Sequence, residues 1–257
     1  MAKKIVLAGF HAVSARLRHS PASIEIVYLD ATRRDARMRE LRGRIEAAGV
    51  KTMAADASRL AGLAGEVPHQ GVVALAAEVD AAIDFHDLLD AITPQTLLLV
   101  LDGVTDPRNL GACLRVADAA GVQAVIVPRD RSAGLTPAAL KAAAGAGETV
   151  PLVTVTNLAS AIVELQDAGV HVVGAAGEAT STLYEIDLTG PIAWVLGAEG
   201  AGLRRLTRDR CDRLASIPLA GHVESLNVSV ATGICLFEAV RQRRAPKSGG
   251  KNSGKRQ

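Results

Sequence analysis

The sequence predicts an α/β protein in which a small αβ domain precedes a larger domain built on a parallel sheet. The 257 residues are long for one hydrophobic core, which favours two domains. In the second half, apolar runs of strand length alternate with Ala-rich helical segments, as is typical of a parallel sheet with helices on both faces. Aromatic residues form only 2% of the chain, so Ala, Val, Leu and Ile must fill the core.

The small domain is predicted at residues 1–77. A charged helix is expected at 33–48, and it ends at the glycine stop Gly49. Strands are expected at 24–29, near 50–53 and at 71–77. Residues 78–94 are acidic and end in a proline, so we expect them to form a linker that contains a short helix.

The larger domain is predicted at 95–244. Its parallel strands are expected at 97–101, 124–127, 150–155, 170–173 and 192–196. Ligands of such sheets bind in loops beyond the carboxyl ends of the strands, so loops at those ends are the candidates for a functional site. Residues 245–257 are polar, Gly/Ser-rich and basic, which predicts a disordered tail.

Charge is distributed unevenly along the chain. The net charge of +2 divides into +5 over residues 1–75, −11 over 76–200 and +8 over 201–257. Basic surface at both ends is the pattern expected of a protein whose ends contact a polyanion. A solvated helix face explains the basic run at 33–44 equally well.

Cysteine and histidine usage limits the class of protein. The three cysteines are odd in number and far apart, which argues against a disulfide framework and against zinc. The six histidines show no metal-ligand spacing, so no metal is expected. The first residues do not resemble a signal peptide, and no apolar run approaches the roughly 18 residues of a membrane helix. We expect a cytoplasmic protein without membrane contact.

The first candidate loop opens the segment 101–122. Asn109 is well placed to start the helix that contains Arg115, six residues further on. On spacing alone, a capping Asn and an ordinary exposed Arg explain the two residues best. If Asn109 lies in the preceding loop instead, both side chains can point into one cleft.

The second candidate loop lies in 194–206. Gly197, Gly200 and Gly202 follow a strand and allow close backbone approach and positive φ. Their spacing is not the G-x-G-x-x-G of dinucleotide-binding folds. Glu199 would repel phosphate and suits a polar or cationic ligand better. A tight glycine turn with an exposed Glu is the alternative.

The third candidate loop precedes the last helix. The apolar segment 217–221 is suited to lining an adenine slot through its backbone. Ser225 and Asn227 then open a run of small apolar residues, where a core helix needs only one cap. A buried helix against its own sheet and a subunit interface are both compatible with the small residues.

At these loops the sequence resembles the SPOUT superfamily, and within it the SpoU/TrmH branch of RNA ribose 2′-O-methyltransferases. The matching motifs are N-x-x-x-x-x-R from Asn109 to Arg115, G-x-E-G-x-G at 197–202, and I-P-L…S-L-N-V-S-V-A at 217–231. The segments GFHAVSA and HQGVVA are similar to the small L30-like RNA-binding domain of members that methylate a guanosine in the peptidyl-transferase P loop of 23S rRNA. The resemblance covers residues 5 to about 244.

The resemblance implies a Rossmann-like catalytic domain with a C-terminal trefoil knot around an S-adenosylmethionine site. It also implies a homodimer with the active site near the subunit interface, and 23S rRNA as the partner. The family's cofactor-binding positions match Gly197, Gly200, Ile217, Leu219 and Leu226. The family's polar active-site positions match Asn109, Arg115, Glu199, Ser225 and Asn227.

The chemistry of methyl transfer to a ribose hydroxyl limits the role that Arg115 can have. A ribose hydroxyl is a weak nucleophile that must be aligned with the methyl group and must lose its proton during attack. A guanidinium normally stays protonated, so Arg115 is expected to fix the adjacent phosphate and to stabilise developing negative charge. Three alternatives stay open: a tRNA-modifying enzyme of the same class, a non-catalytic RNA-binding module and a generic nucleotide-binding α/β protein.

Overall fold

The computed structural model describes residues 4–65, 67–77 and 83–244, and its first part is a four-stranded sheet with helices. The strands are β1 (Lys4–Ala8), β2 (Ile24–Asp30), β3 (Thr52–Ala55) and β4 (Val72–Ala77), and the helices are α1 (Phe10–His19), α2 (Ala36–Ala47) and α3 (Ala57–Ala64). In the order β1-β4-β2-β3, β4 is antiparallel to β1 and β2, and β3 is parallel to β2. The three predicted strands and the charged helix are confirmed, while β1, α1 and α3 are additional elements.

The second part is a six-stranded parallel sheet in the order β10-β8-β9-β5-β6-β7. Its strands are β5 (Leu97–Asp102), β6 (Ala124–Pro128), β7 (Leu152–Val155), β8 (His171–Ala175), β9 (Ile192–Gly197) and β10 (Arg213–Ala215). The helices are α4 (Phe85–Asp90), α5 (Pro107–Ala120), α6 (Pro137–Ala143), α7 (Leu158–Asp167), α8 (Arg205–Arg210) and α9 (Val228–Arg244). All five predicted strands are confirmed. The sixth, β10, is too short and too basic to give an apolar run.

Helices cover both faces of this sheet, as the sequence predicts. Along β5, Leu97, Leu99 and Leu101 pack into the core layer beneath α5 and α9. The alternating residues Leu98 and Val100 pack into the opposite layer, which α7 covers. Successive strand residues point to opposite faces, so a strand buried on both sides must be apolar at every position.

The segment expected to be a linker contains one described helix. Leu88 of α4 is buried in the core layer on the α7 side of the second sheet, so this helix packs on the larger domain. Residues 78–82 of the expected linker and the expected tail at 245–257 lie outside the described residues. Within the described parts, no helix is long and apolar enough to cross a membrane.

A buried ion pair joins α1, which packs on the first sheet, to the part of the chain that carries the second sheet. Arg16 of α1 contacts Glu148 of the larger domain, and the two side chains are only 3% and 12% exposed. Arg16 also donates from Nη1 to the Ala77 carbonyl oxygen at 2.9 Å, at the point where β4 ends. Loss of one partner would leave a buried charge without compensation, so this contact fixes how α1 lies against the larger domain.

The three cysteines are free, as the sequence predicts. Burial raises the thiol pKa of Cys113 to about 11. Burial also raises the pKa of Cys211 and Cys235 to about 12, with the nearby charges of Asp212 and Asp102 contributing at Cys211. All three are therefore thiols rather than reactive thiolates at neutral pH.

The last part of the chain crosses the sheet twice. After β9 the chain passes over β8 to form β10 at the edge, and α9 then returns to pack beside α5 and β9. This path gathers the second and third candidate loops over one end of the sheet. The trefoil knot that the resemblance implies stays a prediction.

Helices α5 and α6 pack closely at Gly111, so a larger side chain there should destabilise the protein. A Cβ at Gly111 would lie 2.2 Å from the Ala139 carbonyl oxygen, which belongs to backbone and cannot rotate away. We expect Gly111→Ala to lower the free energy of unfolding by about 1–3 kcal/mol. Thermal or denaturant unfolding followed by circular dichroism would measure the change.

The matched control is Gly43→Ala in α2. No heavy atom lies within 4 Å of a Cβ at that position, and Ala is preferred over Gly in helices by roughly 0.5–1 kcal/mol. The control should unfold like the parent protein or slightly later. Equal stability of the Gly111→Ala variant and the control would contradict the tight packing.

Candidate functional site

A cavity of about 330 Å³ lies at the carboxyl ends of β8, β9 and β10. Its wall is formed by the ends of these strands, by the β9–α8 loop, by the segment before α9 and by the first turn of α9. Its volume lies in the range of small-molecule sites, and its place at the strand ends is where ligands of parallel sheets bind. We call it the strand-end cavity.

The glycine loop after β9 forms a tight turn at the rim of the strand-end cavity. Gly200 and Gly202 have φ angles of 79° and 64°, which favour glycine. The Gly202 N–H donates to the Ala198 carbonyl oxygen at 2.9 Å. A Cβ at Gly197 would lie 2.1 Å from the Gly202 carbonyl carbon. The turn therefore requires glycine at 197, and it presents Glu199 as an exposed side chain at the rim.

A buried carboxylate holds this loop against the sheet. Asp102, at the end of β5, has no exposed surface. It accepts the backbone N–H of Arg204 at 2.9 Å and also binds the Arg204 side chain through Nε. A charge-assisted hydrogen bond to backbone contributes more than a neutral one. The sequence interpretation missed this role, although an Asp that directly follows an apolar strand is a signal for it.

Acidic side chains dominate the charged groups of the strand-end cavity. Glu178, Glu199 and Glu224 line it, and the only arginine in its lining, Arg208, is paired with Glu178. A backbone hydrogen bond at its own residue and then the Arg208 guanidinium lower the pKa of Glu178. An acidic rim favours a ligand that carries positive charge. Glu178, Glu224 and Arg208 were not predicted, although the strand-end rule applied to β8 would have found Glu178.

The opposite wall of the cavity is apolar and close to backbone. The predicted cofactor positions Ile217, Leu219 and Leu226 all line it, together with Ala215 and Ala231. Small and aliphatic side chains therefore form the part of the wall between β10 and α9. This wall is where an apolar planar group would fit.

The contacts of Asn227 and Ser225 explain why two polar residues precede α9. Its Oδ1 accepts from the Ser229 backbone N–H at 2.9 Å, which caps the helix, while its Nδ2 donates to Asn109 Oδ1 at 3.0 Å. Ser225 makes no part of this cap and lies exposed on the cavity wall. One residue therefore caps α9 and joins it to α5, and the other is free to face a ligand.

Asn109 does not start its helix. The helix α5 begins at Pro107, and Asp106 caps it by accepting the Arg108 backbone N–H at 2.8 Å. The expectation that Asn109 starts the helix is therefore wrong, because the preceding Asp fills the capping position and Pro suits the first helical turn. Asn109 instead points its amide toward α9.

Arg115 lies apart from the strand-end cavity within one chain. It is exposed on α5, six residues beyond Asn109, which is about 9 Å along the helix and on a different side of it. It lines a separate depression between α1, α5 and the end of α6, together with His11, Arg18, Asp118 and Thr149.

The structure thus gathers most of the predicted positions. Seven line the strand-end cavity: Gly197, Glu199, Gly200, Ile217, Leu219, Ser225 and Leu226. Asn109 and Asn227 are joined to each other beside it. Arg115 is the one predicted site residue that faces a different depression.

Two family models match the chain. One, described as the SpoU rRNA Methylase family, matches residues 96–237, and the other, described as RNA 2′-O ribose methyltransferase substrate binding, matches residues 6–81. The 23S rRNA (guanosine-2′-O-)-methyltransferase RlmB of Ralstonia nicotianae is 60% identical over 95% of this chain and 98% of its own length. The protein of the same name from Haemophilus influenzae is 53% identical over 91% of this chain and 96% of its own length.

A solved structure agrees with the fold. The crystal structure of the SpoU methyltransferase AviRb from Streptomyces viridochromogenes, in complex with the cofactor AdoMet, covers 93% of this chain and 90% of its own chain with a TM-score of 0.73 and 27% identity. The strand-end cavity, the glycine loop and these similarities agree on one conclusion. The chain is a member of the SpoU rRNA Methylase family.

Proposed function

We propose that this protein transfers a methyl group from S-adenosylmethionine to the ribose 2′-hydroxyl of a guanosine in 23S rRNA. The observation that carries the proposal is the strand-end cavity, which unites the glycine loop, the apolar wall and Ser225. The high identity to relatives named for this reaction supports the choice of substrate. Both of these relatives are bacterial proteins named for ribosomal RNA, and we propose a cytoplasmic localisation on that basis.

The residues of the strand-end cavity fit S-adenosylmethionine chemically. The adenine ring matches the apolar wall around Ile217 and Leu219, with Leu226 beside it. The sulfonium and ammonium groups match the acidic rim, where Glu178 and Glu199 lie. When bound, the cofactor supplies an electrophilic methyl group, and the chain's own residues must do the rest.

Those residues have separable tasks in the proposed reaction. Ser225 lies exposed on the cavity wall, which supports a role for its hydroxyl in hydrogen bonding to the ribose or to the cofactor. The bond from Asn227 to Asn109 keeps the start of α9 fixed relative to α5, so the geometry of attack is held before the substrate arrives. The positive charge of Arg115 binds the adjacent phosphate and stabilises the negative charge that develops on the attacking ribose oxygen.

A homodimer would complete the site. Val230 and Phe237 of α9 are 51% and 48% exposed, and their spacing of seven residues places them on one side of the helix. Gly233 lies between them in sequence, and a Cβ at this position would lie 3.7 Å from Cγ1 of Val116 in α5. We propose that a second copy covers this face, and that Arg115 of each copy then acts at the strand-end cavity of the other.

Arg115→Ala should separate binding from chemistry. Because Arg115 does not line the strand-end cavity, the variant should bind S-adenosylmethionine with parental affinity while methyl transfer falls about 100-fold or more. Calorimetry and a radiolabelled methyl-transfer assay on a 23S rRNA transcript would measure the two quantities. Arg205→Ala, which removes an exposed i,i+4 ion pair on α8, is the control and should remain active. Normal turnover by the Arg115→Ala variant would refute the role.

Mixing two inactive variants tests the exchange of Arg115 between subunits. In a heterodimer of Arg115→Ala and Ser225→Ala chains, one site carries both changes and the other carries neither. Co-refolded or co-expressed chains should therefore recover up to about half of the parental activity, although neither homodimer is active. No recovery in heterodimers verified by differential tags would mean that Arg115 serves its own chain.

Glu199→Gln tests the acidic rim. A carboxylate near a cationic sulfur contributes about 1 kcal/mol in water-like surroundings, so the variant should bind S-adenosylmethionine about two- to fivefold more weakly. Affinity for the demethylated product, whose sulfur is a neutral thioether although its ammonium group remains, should change less. Titration calorimetry with both compounds measures the ratio of the two dissociation constants, and an unchanged ratio would argue against an electrostatic role.

Phe237→Asp tests the proposed interface. A charge on the covered face of α9 should shift the protein toward monomer in light scattering coupled to size exclusion. The matched control is Leu206→Asp on α8, because Leu206 is also exposed, at 59%, but lies outside α9. Dissociation by both substitutions, or by neither, would contradict an interface on this face.

A further inference from the structure

Arg204, which follows the glycine turn, makes hydrogen bonds with only one part of its side chain. Its Nε binds one oxygen of the buried Asp102 carboxylate, and its backbone N–H donates to the other oxygen at 2.9 Å. In the described parts of the chain, neither Nη1 nor Nη2 makes a hydrogen bond, and the Arg204 side chain is 42% exposed. The two terminal nitrogens can therefore donate to a ligand.

The buried partner gives this ion pair a direction. Asp102 has no exposed surface, whereas the guanidinium of Arg204 reaches solvent. The pair is thus a dipole whose positive end faces outward. Its Nε contact also restricts a side chain that is otherwise flexible, so that little conformational entropy is lost when the guanidinium binds an anion.

Arg204 lies where the loops after β5 and β9 meet. Asp102 and Gly197 are paired neighbours at the ends of these two strands. One residue further on, a Cβ at Gly103 would lie 3.7 Å from the Ala198 Cβ, so the two loops are in contact. The bond from Arg204 to Asp102 holds the far end of the β9 loop at this junction.

The two loops lead to the two halves of the proposed reaction. The β9 loop forms the rim of the strand-end cavity, which Leu203 lines and Arg204 does not. The β5 loop continues to α5, where Asn109 accepts from Asn227 and so contacts the start of α9. Arg204 therefore lies just outside the proposed cofactor site, at the end of the strand that leads to α5.

An RNA substrate needs a positive charge at this place. The ribose that carries the reacting 2′-hydroxyl is joined to phosphates through its 5′ and 3′ oxygens. Glu178, Glu199 and Glu224 of the cavity would repel these phosphates, and Arg208 is already paired with Glu178. Arg204 supplies the missing donor, through two terminal nitrogens that the described residues leave unbound.

We propose that Arg204 binds one of the two phosphates that flank the reacting ribose, through Nη1 and Nη2, while Asp102 holds its Nε. The inference rests on the proposed function for the identity of the substrate. A guanidinium binds phosphate best through parallel N–H donors, which a lysine cannot supply. Together with Arg115, Arg204 then holds the ribose on both sides and aligns its hydroxyl with the methyl group.

A thermodynamic cycle between Arg204 and single phosphates tests the contact. The probe is a labelled 23S rRNA fragment with 2′-deoxyribose at the target guanosine, so that a neutral methylphosphonate linkage beside it is not attacked by its own sugar. Fluorescence anisotropy gives the dissociation constants of the parent and of Arg204→Gln, whose amide can still donate to Asp102. Neutralising the contacted phosphate should weaken binding to the parent about tenfold. The same change should leave the affinity of Arg204→Gln nearly unaltered.

The matched control is Arg205→Gln. Arg205 is the next residue, is 77% exposed and pairs with Asp209 of its own helix, so this variant removes the same charge but not the proposed contact. The control should respond to both neutral linkages as the parent does. Additive effects of Arg204→Gln and each neutral linkage would overturn the inference, and so would an equal loss of coupling in both variants.

Cofactor binding separates an RNA contact from a purely structural role. The backbone N–H of residue 204 can still bind Asp102 in Arg204→Gln, so the glycine turn should stay in place. Affinity for S-adenosylmethionine, measured by calorimetry, should therefore remain close to the parental value. A large loss of this affinity, together with additive effects on RNA binding, would mean that Arg204 only anchors the loop.

The same measurements distinguish failure of this inference from failure of the proposed function. If the parent shows coupling to one phosphate but transfers no methyl group to the unmodified fragment, the proposed function fails and the phosphate contact stands. If methyl transfer occurs and neither linkage shows coupling, the contact fails alone. A parent protein that does not bind the fragment would contradict both.

Discussion

The candidate site depends on the buried carboxylate of Asp102. Asp102 ends β5, one of the two central strands, and fixes the backbone and side chain of Arg204 across the sheet. The glycine turn between β9 and Arg204 is thereby held at both ends, by the strand before it and by the carboxylate after it. A turn of glycines alone would sample many conformations. Because the folded structure already fixes the turn, its conformational entropy is lost during folding and not during ligand binding.

A second constraint joins the parts of the chain that are distant in sequence. Asn227 satisfies a free N–H group at the start of α9 and also binds Asn109, 118 residues away. Because the Asn227 side chain makes both contacts, the cap of α9 and the packing of α5 on α9 depend on each other. The strand-end cavity therefore has a rigid wall on one side, from the sheet, and a wall positioned by polar contacts on the other. Its electrostatic character comes from the acidic rim and not from the basic segments that dominate the chain's ends.

The sequence predicted the parallel sheet because strands buried on both faces are apolar along nearly their whole length, as β9 and the first five residues of β5 show. It also located the three loops, because ligand-binding loops follow strand ends. It failed at Asn109, where two acceptable caps lie three residues apart and Pro107, which suits the first helical turn, favours the earlier one. It could not place Arg115, since periodicity along one helix does not reveal which domain lies against it. An Asp directly after an apolar run marks Asp102 as a candidate, but its partner Arg204 lies 102 residues away, and no local pattern identifies that partner.

The raised thiol pKa values have a practical consequence. With a pKa of about 11, only about one molecule in ten thousand carries a Cys113 thiolate at neutral pH. Cys113 lies on α5 and Cys235 on α9, and both are buried in the layer between these helices and the sheet. Alkylating reagents should reach them only when the layer opens. The rate of labelling, followed by mass spectrometry, therefore reports how often the two helices separate in the native ensemble, without any engineered probe.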